Sequence, residues 1–353
     1  MSKISRRKFV RTAAAASIGT FGILTDRAKG AEFTYKFANN QPVSHPMNVR
    51  SNEMAPKILE ESGGRLEVRA SPNNQLGADT DMLSQLRSGA LEIFALSGIN
   101  VLSMMNKVTS LYGVAFAFPN YAVMWSAVDG ELGAYLRGVI EKLGLHAHEK
   151  LWDNGFRQVT SSTKPIKTPD DLKGFKIRVP VSPLWTSTFQ ALGATPISVN
   201  FAEAYSALQT KIADGQENPL TLIYIAKFYE VQKYCAITNH MWDGLFNLMN
   251  GKAWRALPPD LQAVLANNMN GAVLKARADL VELNKTVADD LKKNGMIFND
   301  TDPNEFRVTL SKNGYYKRWK PSVPRLGRYW RNSPARWCNY ESVSNFDSFR
   351  CGA

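Results

Sequence analysis

Phe33, Tyr35 and Phe37 alternate with Thr34 and Lys36, the period-two pattern of a strand with one buried face. The polar run Asn39-Asn40-Gln41-Pro42 closes that strand, and a helix is expected from Pro46 to Glu61, stopped by Gly63-Gly64. Leu66, Val68 and Ala70 alternate again, a loop spans 72–77, and Met82, Leu83 and Leu86 mark one helix face. Residues 91–96 are apolar enough for a buried strand. Strand, helix, strand, helix, strand at these lengths predicts right-handed crossovers and a parallel sheet with helices on both faces.

The order repeats further along. Residues 156–161 are strand-like, 169–172 open a short helix, 175–179 form a strand and 183–192 a helix, continued by 194–199 and 201–212. No Pro/Ser/Gly-rich spacer separates the two α/β units, so a simple linker between them is not expected. Residues 232–249 read as one extended segment. Beyond Pro258-Pro259, apolar residues from Leu261 through Val273 and Leu283 to Leu291 keep helical spacing as far as Asn294. A helix of about 35 residues is roughly 50 Å long, enough to run across both units.

The chain has 353 residues, 44% apolar and 21% charged, ordinary for a globular protein. No apolar run reaches the roughly 18 residues that span a bilayer. The formal charge of +12 suggests a nucleic-acid binder until it is divided: residues 1–30 carry seven basic and one acidic side chain, and residues 321–353 carry five Arg against Glu341 and Asp347. That leaves +3 for the body, so no basic groove for phosphates and no nucleic-acid partner are expected. Ser5-Arg6-Arg7-Lys8-Phe9-Val10 precedes a short apolar stretch and Ala28-Lys29-Gly30-Ala31, which resembles a twin-arginine export signal cleaved near Ala31. A periplasmic location follows. After Lys320 lysine disappears, arginine replaces it and periodicity ends. Residues 321–353 are therefore read as an aberrant tail translated out of frame, with a solvated basic arm as the alternative; resequencing the gene separates the two.

Familiar catalytic motifs are missing. There is no dinucleotide or phosphate-binding glycine loop, no G-x-S-x-G and no H-E-x-x-H. Cys235 is the only cysteine in the body, and His146-x-His148 gives two ligands where a zinc site needs three or four, so solvent-facing strand histidines are expected and no metal or cofactor. Asp170-Asp171 and Asp289-Asp290 belong at helices as structural acids. What remains is Arg157, Arg178 and Asn218 on strands of the second unit. Arg178, between Ile177 and Val179, must reach solvent, meet an internal acid such as Glu203 or Glu217, or grip a carboxylate at the strand's carboxyl end.

Several longer motifs point further. Asn74-Gln75-Leu76-Gly77, the run Asp171-Leu172-Lys173-Gly174-Phe175-Lys176-Ile177-Arg178-Val179-Pro180, Phe201-Ala202-Glu203-Ala204-Tyr205 and Asp214-Gly215-Gln216-Glu217-Asn218-Pro219 together resemble the solute-binding proteins of tripartite ATP-independent periplasmic (TRAP) transporters, the DctP family, over residues 33 to about 320. The resemblance implies a type II periplasmic binding fold, two α/β domains with a ligand cleft between them, joined by crossing strands and a long spanning helix. It divides the chain into 31–154 plus 244–284 and 155–243 plus 285–320. It implies a non-enzymatic receptor that delivers an organic acid to TRAP permease subunits. Position by position, Arg178 matches the carboxylate-gripping arginine, Asn218 the asparagine beside it, Arg157 a second arginine facing the ligand, Phe201 a pocket-wall aromatic and Asn40 a polar residue of the opening loop. Where sialic-acid binders carry Glu and Arg after the third strand, this chain has Ser97 and Asn100, which argues against sialic acid.

The ligand itself stays open. Trp152, Trp185 and Trp242 fall near the expected cleft, where each either stacks on a ring of the ligand or packs in the core. Ser97, Asn100 and Asp243 favour hydroxyls of a sugar acid, whereas Val181, Pro183, Leu184 and Phe201 favour an aromatic or aliphatic monocarboxylate. The rival readings are a secreted enzyme acting on a carboxylate and the ligand-binding input of a sensory receptor.

Overall fold

The computed structural model describes residues 30–319; the leader up to Lys29 and the tail 321–353 lie outside the described residues. Ten strands form one sheet: β1 (Phe33–Asn39), β2 (Leu66–Ser71), β3 (Ile93–Ser97), β4 (Leu145–Ala147), β5 (Trp152–Ser161), β6 (Lys176–Val179), β7 (Thr195–Ser198), β8 (Gly215–Pro219), β9 (Tyr234–Asn250) and β10 (Ile297–Asp300). Their order is β2-β1-β3-β9-β5-β8-β6-β7, with β4 and β10 also paired to β9. Each half has its own parallel set, β2-β1-β3 and β8-β6-β7. The parallel sheet expected for the first unit is present as β2-β1-β3; between the halves β9 runs antiparallel to both β3 and β5, and β5 antiparallel to β8.

The first half is built as its pattern predicts. Helix α1 (Pro46–Glu61) starts with Pro46 in its first turn, and the His45 Nδ1 accepts from the Met47 N–H at 3.2 Å. It ends where Gly63 and Gly64 take φ of 61° and 79°, which lets the Gly64 N–H reach the Leu59 carbonyl at 2.8 Å. On β3, Ile93 and Ala95 enter one core with Phe37, Met47, Ile58 and Leu66, while Phe94 and Leu96 enter another with Met82, Leu86 and Leu136. The strand is apolar throughout because both of its faces are covered. Covering them are α1 and α10 (Pro259–Leu283) on one side and α2 (Asp79–Ser88), α3 (Leu102–Met105), α4 (Tyr121–Val128) and α5 (Glu131–Glu141) on the other.

Helices α6 (Pro183–Ala191), α7 (Ala204–Gln209), α8 (Leu220–Ile225) and α11 (Val287–Lys293) serve the second half, and α9 (Gly251–Ala256) precedes α10. The single long helix expected to reach Asn294 is two. It breaks at residues 284–286, because α10 buries Leu261, Leu265, Met269 and Val273 against the first half, while Val287 and Leu291 of α11 enter a separate core with Ile223, Phe228 and Cys235. The residues on either side of the break belong to two separate cores. The chain then passes through α12 (Pro303–Lys312) to α13 (Tyr315–Trp319), whose Tyr315 hydroxyl accepts from the Ala115 N–H and from the Thr188 hydroxyl, both at 3.0 Å.

Where β5 and β9 cross between the halves, both are irregular. Register shifts fall at Asp153/Gly155 and at Arg157/Val159, so residues 237–240 of β9 stand opposite Gln158. Gly155 takes φ of 113°, and a Cβ there would lie 3.1 Å from the Pro219 side chain.

Candidate functional site

Ligands of α/β sheets bind beyond the carboxyl ends of the strands, and the candidate residues gather there. Asn39 ends β1 and is followed by Asn40; Asp79 opens α2 after β2; Ser97 ends β3; Arg178 lies near the end of β6 and Asn218 near the end of β8. All six are buried.

Arg157, on β5, is fully engaged inside the protein. Its Nε donates to Glu217 Oε2, its Nη2 to Glu217 Oε1 at 2.7 Å and to the Glu217 carbonyl at 2.7 Å, and its Nη1 to Asp243 Oδ2 at 2.9 Å. The three side chains come from β5, β8 and β9, the strands at the crossing. Burial works against the Arg157 charge, but Glu217 and then Asp243 outweigh it and hold its pKa above the ordinary value. Burial likewise opposes the Glu217 charge, yet Arg157 and His240, whose Nε2 lies at 3.2 Å, pull that carboxyl below its ordinary range. For Asp243 burial wins, and its pKa is raised despite Arg157, Ser97 and Asn154.

Arg178 is as deeply buried but almost unpaired. Its Nε and Nη2 both donate to the Val199 carbonyl, at 3.0 and 2.6 Å, and its Nη1 has no partner. The internal ion pair to Glu203 or Glu217 raised as an alternative does not form, because Glu217 is taken by Arg157. Burial lowers the Arg178 pKa to about 10, helped by the like charge of Arg157 and opposed by Glu217 and Asp79. Trp185, on α6, also has a buried Nε1 without a partner, and the Arg157 guanidinium lies 4.9 Å from its ring centroid.

From the first half, Asp79 faces this cation. Its Oδ2 accepts from Asn40 Nδ2 at 3.0 Å and from Asn100 Nδ2 at 2.8 Å, whereas Oδ1 is buried and open. Burial raises the Asp79 pKa, against Asn40, Asn100, the Arg178 charge and the nearby Asn74 amide. Asp79 escaped the sequence reading; the only signal was an acid opening a helix just after the 72–77 loop, which reads as a helix-dipole partner.

The other candidates divide. Asn40 and Asn100 flank Asp79. Asn218 Nδ2 donates to Gln216 Oε1 on its own strand. Ser97 is occupied: its hydroxyl donates to Asp243 Oδ1 at 2.6 Å and accepts from the Ile99 N–H at 3.2 Å. Trp242 is corrected from ligand platform to core residue, since its Nε1 donates to Asp153 Oδ1 at 2.8 Å and its ring is held between Tyr112 and Trp125 at 5.5 and 5.3 Å. Trp152 is likewise core, donating to Asn247. Phe201 packs its ring toward Phe228 at 6.0 Å, on the second half. The solvent-facing histidine pair is also corrected: His148 is buried against Met249, and His146 stacks on Trp254 at 3.9 Å. Asp171 accepts from the Lys167 and Thr168 N–H groups, and Asp289 and Asp290 pair with Lys292 and Lys293, the structural roles expected. Among the described residues no group of three or more His, Cys, Asp or Glu could hold a metal ion.

Comparison with known proteins gives this arrangement a context. Residues 37–317 match the DctP family model, described as bacterial extracellular solute-binding protein, family 7. The chain is 31% identical to the 2,3-diketo-L-gulonate-binding periplasmic protein YiaO of Escherichia coli, over 84% of this chain and 88% of the relative. It resembles the crystal structure of a TRAP periplasmic solute-binding protein from Sulfurospirillum deleyianum with bound succinate, at TM-score 0.79 and 27% identity, covering 86% of this chain and 99% of the other. A TRAP solute-binding protein from Roseobacter denitrificans with bound L-galactonate superposes at TM-score 0.77 with 26% identity, covering 85% and 97%.

Proposed function

The chain belongs to family 7 of the bacterial extracellular solute-binding proteins, and from that premise we propose that it is a periplasmic TRAP receptor, exported through its twin-arginine leader, which captures one organic acid between its two halves and hands it to a membrane permease. The observation that carries this reading is the open Nη1 of Arg178. A buried guanidinium N–H without an acceptor is costly, and a carboxylate placed against it restores a charge-assisted bond. Arg178 grips the carboxylate, with Asn218 beside it and the Trp185 N–H as a further donor. Arg157 holds the guanidinium-lined floor of the site rather than the ligand itself. Asn40 and Asn100 close it from the first half, and Phe201 forms part of the wall. The domains swing about the irregular crossing of β5 and β9, with boundaries near 154 and 243 and again near 284. Binding occurs without turnover of the ligand.

A thermal-shift screen of organic acids, with product analysis of each hit, tests this. An acid at about 100-fold above its dissociation constant adds about 2.7 kcal/mol to stability. A raised melting temperature with the acid recovered unchanged supports the receptor; conversion of the acid, or no shift with any acid, refutes it.

A further inference from the structure

The two faces of the site offer opposite halves of a hydrogen bond. From the second half come two buried donors without partners, Arg178 Nη1 and Trp185 Nε1; from the first comes a buried acceptor without a partner, Asp79 Oδ1. Asp79 cannot turn its open oxygen away, because Asn40 and Asn100 pin the other one at 3.0 and 2.8 Å, and Asn100 is itself held by the Val101 N–H on its Oδ1 at 2.8 Å. Counting charges gives the same asymmetry. Glu217 and Asp243 surround Arg157, so Arg178 is the cation left for a ligand, and Asp79 already stands opposite it.

We infer that Asp79 sets the ligand class, selecting a monocarboxylate that carries hydroxyl groups at the end away from Arg178 and rejecting a dicarboxylate. A ligand hydroxyl donates to Asp79 Oδ1 and satisfies it. A second carboxylate brings only acceptors and a negative charge to an oxygen that itself needs a donor, in a region closed to water, and leaves both carboxylates unpaired. Sites built to hydrogen-bond a ligand group reject an analogue in the same way, by leaving a buried polar group without its partner. This inference rests on the receptor reading above and goes beyond it, since solved structures similar to this chain hold both succinate and L-galactonate.

Calorimetric titration of the full mature chain with a panel of six-carbon aldonates and uronates, with succinate and with hexanoate separates the possibilities. The wild type is expected to bind at least one hydroxylated acid about tenfold or more tighter than succinate and hexanoate. Asp79→Asn keeps the size and the Asn40 contact but removes the charge, and it should narrow the hydroxy-acid to succinate ratio by about tenfold. Thermal melting verifies that the variant folds; should it not, Asp79→Ser and the wild-type ratio itself serve as the test. Succinate or hexanoate binding as tightly as the best hydroxy acid, or an unchanged ratio in a folded Asp79 variant, overturns the inference while leaving the receptor standing. Binding of no acid by the wild type overturns both, and loss of all acids in Arg178→Lys with the ratio altered only in Asp79→Asn supports both.

Discussion

Two arginines twenty-one positions apart sit equally deep in the second half, yet their surroundings are opposite. Around Arg157, four hydrogen bonds tie one guanidinium to two carboxylates and a carbonyl from neighbouring strands. Around Arg178, one carbonyl shares two of the N–H groups and the rest of the fork is left open. The first is complete without a ligand and clamps the crossing of β5, β8 and β9. The second keeps a buried Nη1 with no acceptor. Burial alone therefore does not mark a binding residue; an unmet hydrogen-bonding capacity beside it does.

The contrast is broken most severely at Arg157. Arg157→Gln strands Glu217 and Asp243 in the interior, and removing one partner of a buried ion pair costs about 3 to 5 kcal/mol. The urea midpoint should fall accordingly with an unchanged slope; a variant as stable as the wild type would show that the cluster does not hold the crossing. Arg178→Lys should do the reverse. Lys keeps the charge but not the planar two-bond grip, so affinity for the bound acid should drop about 30- to 1000-fold, or about 2 to 4 kcal/mol, with the urea midpoint nearly unmoved. Calorimetry on the folded variant measures it.

A third comparison uses a buried carboxylate on the same crossing that has no guanidinium bonded to it. Asp153 accepts from Trp242, and burial raises its pKa to about 6 from an ordinary 3.8, against the Trp242 bond. Because the folded pKa is the higher one, the protonated form favours folding; this contribution is complete below pH 3.8 and is lost as the pH rises through 6. Asp153→Asn removes that dependence. The variant should gain up to about 3 kcal/mol relative to wild type between pH 4 and pH 7, read from paired denaturation curves; parallel curves would mean that Asp153 stays ionised throughout. The smallest effect is expected at Trp185→Phe, which keeps an aromatic ring beside Arg157 and deletes the N–H together with part of the indole. Affinity should fall by about 0.5 to 1.5 kcal/mol in the folded variant, and equal affinity would remove the indole from the donors of the site.

Much of the frame was legible in residue order. Phe33, Tyr35 and Phe37 alternate as β1, the apolar run at 91–96 is the doubly covered β3, and residues 232–249 are the long β9. The arginine and asparagine at the ends of β6 and β8 were legible too, because a charge set between Ile177 and Val179 is anomalous in an apolar strand. Helix α10 was overextended because Leu283 and Val287 preserve the spacing on either side of the break at 284–286. Periodicity records that a side chain is buried and not which core receives it. Trp242 was misplaced for a related reason: nearness to the cleft in sequence says nothing of Tyr112 and Trp125, which come from more than a hundred residues away and enclose it.

The sequence by itself determined the α/β alternation, the crossing segment and the family, since these depend on local period and on short motifs whose residues are neighbours in the chain. Only the tertiary structure decided which arginine is spent and which is free. That outcome depends on Glu217 and Asp243 meeting Arg157 rather than Arg178, and on Asn40 and Asn100 engaging one oxygen of Asp79 while the other stays without a partner. These partners lie as many as 86 positions apart, so hydrogen bonds that no local pattern encodes settle which buried polar atoms stay without a partner.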